Sequence, residues 1–178
     1  MTPRLGRWLG GSVVVVGLMV VLFGFLAWAT VTLDGGSPST LTGWGTISGA
    51  ESAVGQNIND VITSLQGTGS YRPALLPTVL GGAAVLPGVW IAVRRSKFAA
   101  AGVVALGLFI GAWGLYRALR PGDIAGLLVA GDVSTAAVGP WATCFAGAAI
   151  IGPAVAVLIL PAPPPPGVRR SRGIQPRR

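Results

Sequence analysis

The stretch WGTISGAESAVGQNINDVITSL, Trp44 to Leu65, decides how this chain is arranged. It is polar and holds Glu51 and Asp60, two of only five acids in the protein. On either side the chain turns oily: SVVVVGLMVVLFGFLAWA (12–29) precedes it and PALLPTVLGGAAVLPGVWIAV (73–93) follows. A helix needs ~20 apolar residues to cross ~30 Å of hydrocarbon at 1.5 Å per residue, and both flanks reach that length. The polar stretch therefore reads as a loop held outside a bilayer between two spans.

Composition supports a membrane setting. The 178 residues are 52% hydrophobic and only 10% charged, with a mean hydropathy of +0.70. Soluble domains are typically ~25% charged, so this chain has too little polar surface to solvate a globule in water. The net charge of +8 would suggest nucleic acid if the basic residues formed one patch. They sit instead in short clusters beside apolar runs, which indicates membrane orientation and no nucleic-acid partner. One Cys and no His rule out an internal disulfide and leave no basis for a His/Cys metal site.

Four windows have spanning length: 8–31, 73–93, 98–119 and 139–160. Arg117 is the only charge inside them and lies one turn from a boundary, where it is expected to snorkel outward. Arg4, Arg7, Arg94, Arg95, Lys97, Arg169, Arg170, Arg172, Arg177 and Arg178 fall on one side of this map without a single acid. Arg72, Arg117, Arg120 and every acid (Asp34, Glu51, Asp60, Asp123 and Asp132) fall on the other. The positive-inside rule then places both termini in the cytoplasm and residues 32–72 outside. Trp8, Trp28, Tyr71, Trp90, Trp113, Tyr116 and Trp141 lie near span ends, as interfacial aromatics do, while Trp44 stands apart. Span one has a second reading as a signal peptide, with Ala27-Trp28-Ala29 as the cleavage site. Its apolar run exceeds the usual h-region, and an uncleaved helix is expected.

Within the outer loop, Thr40, Leu41, Thr42, Trp44, Thr46 and Ile47 suit a strand or tight hairpin. A partner strand at Thr30–Leu33 is expected across the turn signal DGGSP. Ser48 and Glu51 have capping-box spacing, which predicts an amphipathic helix over 49–66 with Val54, Ile58, Val61, Ile62 and Leu65 on its apolar side. That stripe is expected to pack on the bundle; Trp44, Ile58, Ile62 and Leu65 are the candidate contacts for a partner protein. The second outer segment, 120–138, contains DIAGLLVAGD, too short to span and read as an interfacial helix or a cover over the bundle. After Leu160, the run PAPPPPGVRRSRGIQPRR predicts a solvated, disordered cytoplasmic tail over 161–178.

Small residues recur at four-residue spacing: Ala84 and Gly88, Gly107 and Gly111, then Gly139, Thr143 and Gly147. Such spacing lets helix backbones approach, inside the bundle or between copies. Pro77, Pro87 and Pro153 are candidate kinks, and Cys144 reads as a small packing residue.

The chemical search yields no catalytic residues, cofactor site or metal site. G-x-S-x-G and Walker patterns are absent from the sequence. Gly43-Trp44-Gly45-Thr46-Ile47-Ser48 approximates G-x-G-x-x-G but ends in Ser and lacks a βαβ setting. Glu51, Asp60, Asp123 and Asp132 are expected to be solvated loop acids, since nothing in their spacing indicates a cation site.

Four spans, a long first loop carrying LTGWG (41–45) and a short second loop resemble claudin-like four-helix proteins in outline. The cysteine pair that accompanies the claudin Trp motif has no counterpart here, so the likeness implies an architecture and no pore or adhesion function. Topology, LTGWG and an Arg-over-Lys bias with abundant Gly, Ala, Val and Pro also resemble small four-span membrane proteins of actinobacteria, mycobacteria included. That likeness implies a location rather than an activity. The expected class is an all-α four-span bundle with a small strand-plus-helix loop. The expected role is a non-enzymatic accessory, assembly or interaction subunit of the bacterial cytoplasmic membrane, with a small transporter or channel subunit as the alternative. Its expected partners are the lipid bilayer and other membrane proteins, met through the outer loop or the small-residue helix faces.

Overall fold

The computed structural model describes residues 3–32, 38–49, 56–64, 70–121 and 134–161. Four helices are long and apolar enough to cross a membrane: α1 (Pro3–Phe23), α3 (Leu75–Arg94), α4 (Lys97–Leu119) and α5 (Val138–Ile159). Between and beyond them lie β1 (Ala27–Val31), β2 (Ser39–Thr42), β3 (Ile47–Ser48), the short helix α2 (Ile58–Ser64) and β4 (Ser134–Ala136). The strands form one antiparallel sheet in the order β3-β2-β1-β4. The helices alternate in direction, so the sheet caps the end where α1 and α4 finish and α3 and α5 begin. Arg4, Arg7, Arg94, Arg95 and Lys97 lie at the opposite end.

Helix α1 packs chiefly on α3, and α4 chiefly on α5; α1 against α5 and α3 against α4 complete the ring. Val13, Val20, Ile91, Val103, Ile110 and Ile150 fill its centre. Both principal seams are backbone-close. A Cβ on Gly17 or on Gly81 would come within 2.8 Å of the other glycine's carbonyl oxygen, and one on Gly114 would meet Pro140 O at 2.7 Å. Ala84 and Gly88 are buried against α1, while Gly107, Gly111 and Gly147 face one another across α4–α5. These faces are therefore occupied within the chain rather than offered to a second copy. Gly10 and Gly17 complete the α1–α3 seam: a Cβ on Gly10 would lie 2.6 Å from Gly88 O. Thr143, fully buried, donates its hydroxyl to Gly139 O at 2.9 Å and so brings no unsatisfied polar group into the seam. Helices α3 and α5 continue through Pro87 and Pro153, each omitting one backbone bond. Cys144 is half-buried with a free thiol.

Span one differs from expectation. Hydropathy extends the helix to Val31, but α1 stops at Phe23 and residues 27–31 form the central strand. Gly24, Phe25 and Leu26 close the last turn with i→i−3 bonds to Val21, Leu22 and Phe23. Beyond them, β1 finds partners on both sides: Thr30 pairs with Thr40 and Thr135, and Val31 with Ser39 and Ser134. Two neighbouring strands satisfy backbone groups that a longer helix would have satisfied internally, and the β-branched Thr30 and Val31 fit the pleat. Ala27-Trp28-Ala29 lies in this central strand, so a cut there would remove the start of β1. The strand expected at Thr30–Leu33 thus begins earlier, and Leu33 lies outside the described residues.

The hairpin over 40–47 forms, as β2 and β3 around Gly43-Trp44-Gly45. Gly45 has φ +89°, a left-handed conformation that favours glycine. The loop helix is shorter than predicted. Ser48 ends β3 instead of capping a helix, and Gly49 also has positive φ. The cap is Asn57, whose Oδ1 accepts from Asn59 N at 2.9 Å; α2 therefore starts at Ile58. Glu51 and Val54, residues 122–133 of the second loop segment (120–138) and the tail from 162 onward lie outside the described residues. Strand β4, drawn from the second loop, was not foreseen.

Candidate interaction surface at the sheet end of the bundle

The sheet is fastened to the bundle by Trp28. The register slips between Ala27 and Ala29, leaving Trp28 in a bulge that turns it toward the helices. Its side chain is fully buried and its Nε1 donates to Phe23 O at 2.9 Å, a second bond to the carbonyl that also accepts from Leu26 N at the end of α1. Gly43 and Gly139 leave room for the indole: a Cβ on either would fall within 2.7 Å of Trp28 Nε1. Ala137 N donates to Trp28 O at 3.2 Å, joining the start of α5 to the same strand. Trp28 is thus a core residue rather than an interfacial anchor. Trp8, Trp90 and Trp141 remain exposed near helix ends, as predicted.

Against the sheet lies a second small core of Ala29, Val31, Leu41, Ile58 and Tyr71, with Ile47 packed against it. Asn59 ties this core to the lead-in of α3. Its Oδ1 accepts from Tyr71 N at 2.6 Å and its Nδ2 donates to Tyr71 O at 3.2 Å, a side-chain imitation of strand pairing. On the other flank, Ile47 N donates to Gln56 O at 3.0 Å and Ile58 N to Gly45 O at 2.8 Å. The edge of β3 is thereby covered by its own chain.

The candidate partner contacts separate on inspection. Trp44 sits at the hairpin tip, half-buried against Gly24 and tilted against Phe25 at 6.1 Å between ring centroids. It borders a cavity of about 280 Å³ with Asn57, Asn59, Asp60 and Arg72. Ile58 is 3% exposed and belongs to the small core, so its side chain is withdrawn from the surface. The side chain of Ile62, and Leu65 altogether, lie outside the described residues. Of the two described side chains, Trp44 alone reaches the surface.

A further cluster escaped sequence reasoning. Trp113 Nε1 donates to Pro73 O at 2.9 Å, fastening α4 to the lead-in of α3. Arg117 does not simply snorkel outward: its guanidinium lies 4.8 Å from the Trp113 ring and 5.7 Å from the Tyr116 ring, with Nε buried and unpartnered. The Tyr71 hydroxyl is likewise buried without a partner. Burial pushes its pKa upward, partly opposed by Arg117, so it stays a neutral donor. The i, i+4 spacing of Trp113 and Arg117 was the available signal; their meeting with Tyr71 is tertiary.

Among the described residues no group of three His, Cys, Asp or Glu is placed to hold a metal ion, and the one described acid, Asp60, is exposed. Fold and site together define a class: a four-helix bundle of membrane-spanning length and hydropathy, capped at one end by a sheet drawn from both loops of that end. Comparison with protein-family models, curated proteins and solved structures finds no match.

Proposed function

We propose that this chain is a multi-pass protein of the bacterial cytoplasmic membrane, with both termini cytoplasmic, acting as a non-enzymatic accessory or assembly subunit through its extracytoplasmic cap. The likenesses in outline to claudin-like proteins and to small actinobacterial four-span proteins agree with this reading. The observation that carries it is the attachment of the cap. The hairpin and β4 are locked to the helix ends through the fully buried Trp28, and α2 through Asn59 and Ile58 to Tyr71, so the described loop residues are held as a fixed surface. A rigid surface loses less conformational entropy when a partner binds than a flexible loop does. Outward from the bundle, Phe98, Phe109 and Ile159 stay well exposed, which suits lipid contact and would be a liability in water.

The channel reading is the weaker one. Val13, Ile91, Val103, Ile110 and Ile150 occupy the bundle centre with no exposed surface, and glycine-close seams leave little room for a water path through one copy. Photoreactive residues placed at the exposed Thr46 and Ser48 test the accessory role in native membranes. A discrete protein adduct from these positions, absent when the probe sits at Phe109, is expected. Protein adducts absent from both cap positions would dismiss the proposed role.

A further inference from the structure

The loosest of the four helix seams, α3 against α4, contains two adjoining recesses. At the sheet end, Ser70, Tyr71, Arg72, Leu76, Trp113 and Arg117 line a cavity of about 470 Å³. Below it, an apolar groove of about 870 Å³ runs past Leu80, Leu86, Trp90, Leu106 and Phe109. Leu76 and Leu80 are one turn apart on α3, and Trp113 and Phe109 one turn apart on α4, so the wall is continuous from cavity to groove. The cavity is polar where it meets the cap and oily where it opens along the helices.

Two donors on residues that line this cavity have no hydrogen-bond partner. The Tyr71 hydroxyl is unpartnered in a side chain 5% exposed, and Arg117 Nε is buried and unpartnered. A buried donor left unsatisfied costs ~1–3 kcal/mol, more when it is charged. The lining is one-sided in charge as well: Arg72 and Arg117 border this cavity, and no acid lies among the described residues that line it. Asp60 lies beside Arg72 across the neighbouring small cavity and does not line this one. An arginine with a hydroxyl donor beside it suits a phosphate oxyanion. An apolar trough directly beneath suits an alkyl chain attached to that phosphate.

We propose that the α3–α4 seam is a binding site for an anionic phospholipid of the leaflet on the sheet side. Its phosphate accepts from the Tyr71 hydroxyl and the Arg117 guanidinium, and one acyl chain lies in the upper part of the groove past Leu80 and Phe109. The phosphate satisfies both orphan donors, and the two arginines of the lining, Arg72 and Arg117, select an anionic headgroup over a zwitterionic one. This inference rests on the bundle lying in a bilayer. It does not rest on the cap meeting a protein partner, so the failure of one leaves the other standing.

The test is native mass spectrometry of the full chain released from nanodiscs containing equal amounts of phosphatidylglycerol and phosphatidylcholine. The intact protein is expected to retain phosphatidylglycerol in preference. Arg117→Gln should lower that retention about tenfold, in line with the loss of a charge-assisted bond. Tyr71→Phe, which removes only the unpartnered hydroxyl, should lower it about threefold while leaving thermal unfolding near that of the parent. Should Arg117→Gln fail to fold, the isosteric Tyr71→Phe variant decides alone. Equal retention of the two lipids, or retention unchanged in a folded variant, would overturn the site. Displacement of the lipid by millimolar inorganic phosphate would overturn the lipid assignment in favour of a free phosphate.

Discussion

Replacing Gly147 by Ala should separate two helices that now touch through their backbones. A Cβ at this position would lie 2.6 Å from Gly107 O and 2.6 Å from Gly111 Cα, both main-chain atoms of α4 that cannot rotate aside. Carbon contacts settle at ~3.5–4.0 Å, so α4 and α5 must part by roughly 0.9 Å or more. A gap of that size forfeits a quarter to a half of the dispersion well for each contact along the seam. Overpacking of this kind costs ~1–3 kcal/mol. Alanine also returns up to ~1 kcal/mol of helix propensity relative to glycine, which would mask part of the effect. Gly152→Ala on the same helix supplies the correction, since a Cβ there meets nothing within 4 Å. Subtracting one variant from the other cancels propensity and leaves the packing penalty, ~1–3 kcal/mol. In a protein of this size that corresponds to roughly 2–12 °C between the two melting temperatures. Thermal unfolding in a mild detergent, followed by tryptophan fluorescence, gives the measurement. If both variants unfold at the same temperature, the glycine-close seam is not what holds α4 against α5.

Other perturbations probe the cap and the connections. Trp28→Ala should destabilise by ~3–5 kcal/mol and open the cap to protease before the helices unfold, because the sheet loses the side chain that fastens it to the bundle. Asn59→Ala leaves Tyr71 N unsatisfied and should cost ~1–3 kcal/mol, read as faster amide exchange over residues 70–74. Ser96→Ala removes the Oγ that accepts from Ala99 N at 3.2 Å in the α3–α4 connection, and should lower stability by ~1 kcal/mol in a denaturant titration. Burial raises the Tyr71 pKa above the ordinary tyrosine value of 10.0, so its contribution is complete below pH 10.0 and lost as pH rises toward the folded value. Alkaline unfolding should therefore begin at higher pH in Tyr71→Phe than in the parent; coincident transitions in a pH titration would contradict the burial argument.

Much of this architecture is written in local pattern. The windows 73–93, 98–119 and 139–160 differ by only one or two residues from α3, α4 and α5, since hydropathy over ~20 residues reports a solvent preference that each helix satisfies alone. The hairpin at 39–48 was legible for a similar reason: Gly43 and Gly45 bracket Trp44 between alternating Thr, Leu and Ile. The small-residue seam of α1 was equally present in the sequence, as Gly6, Gly10 and Gly17.

What remained for the tertiary structure is whatever depends on a partner distant in sequence. Residues 27–31 are oily enough for a helix; they become a strand because β2 and β4, the latter more than a hundred residues away, supply backbone partners on both sides. Ile58 lies on the apolar stripe expected to pack inward and is buried, but that Leu41, Val31 and Tyr71 are the side chains that close over it follows only from the fold. Arg117 reads as a boundary charge, but the Tyr71 hydroxyl in the cavity it shares comes from the lead-in of α3, some forty-six residues earlier in the chain. Hydropathy is a property of one segment and its solvent, so it could be summed along the chain; strand pairing, burial and a two-sided pocket are properties of pairs, and only folding decides which pairs meet.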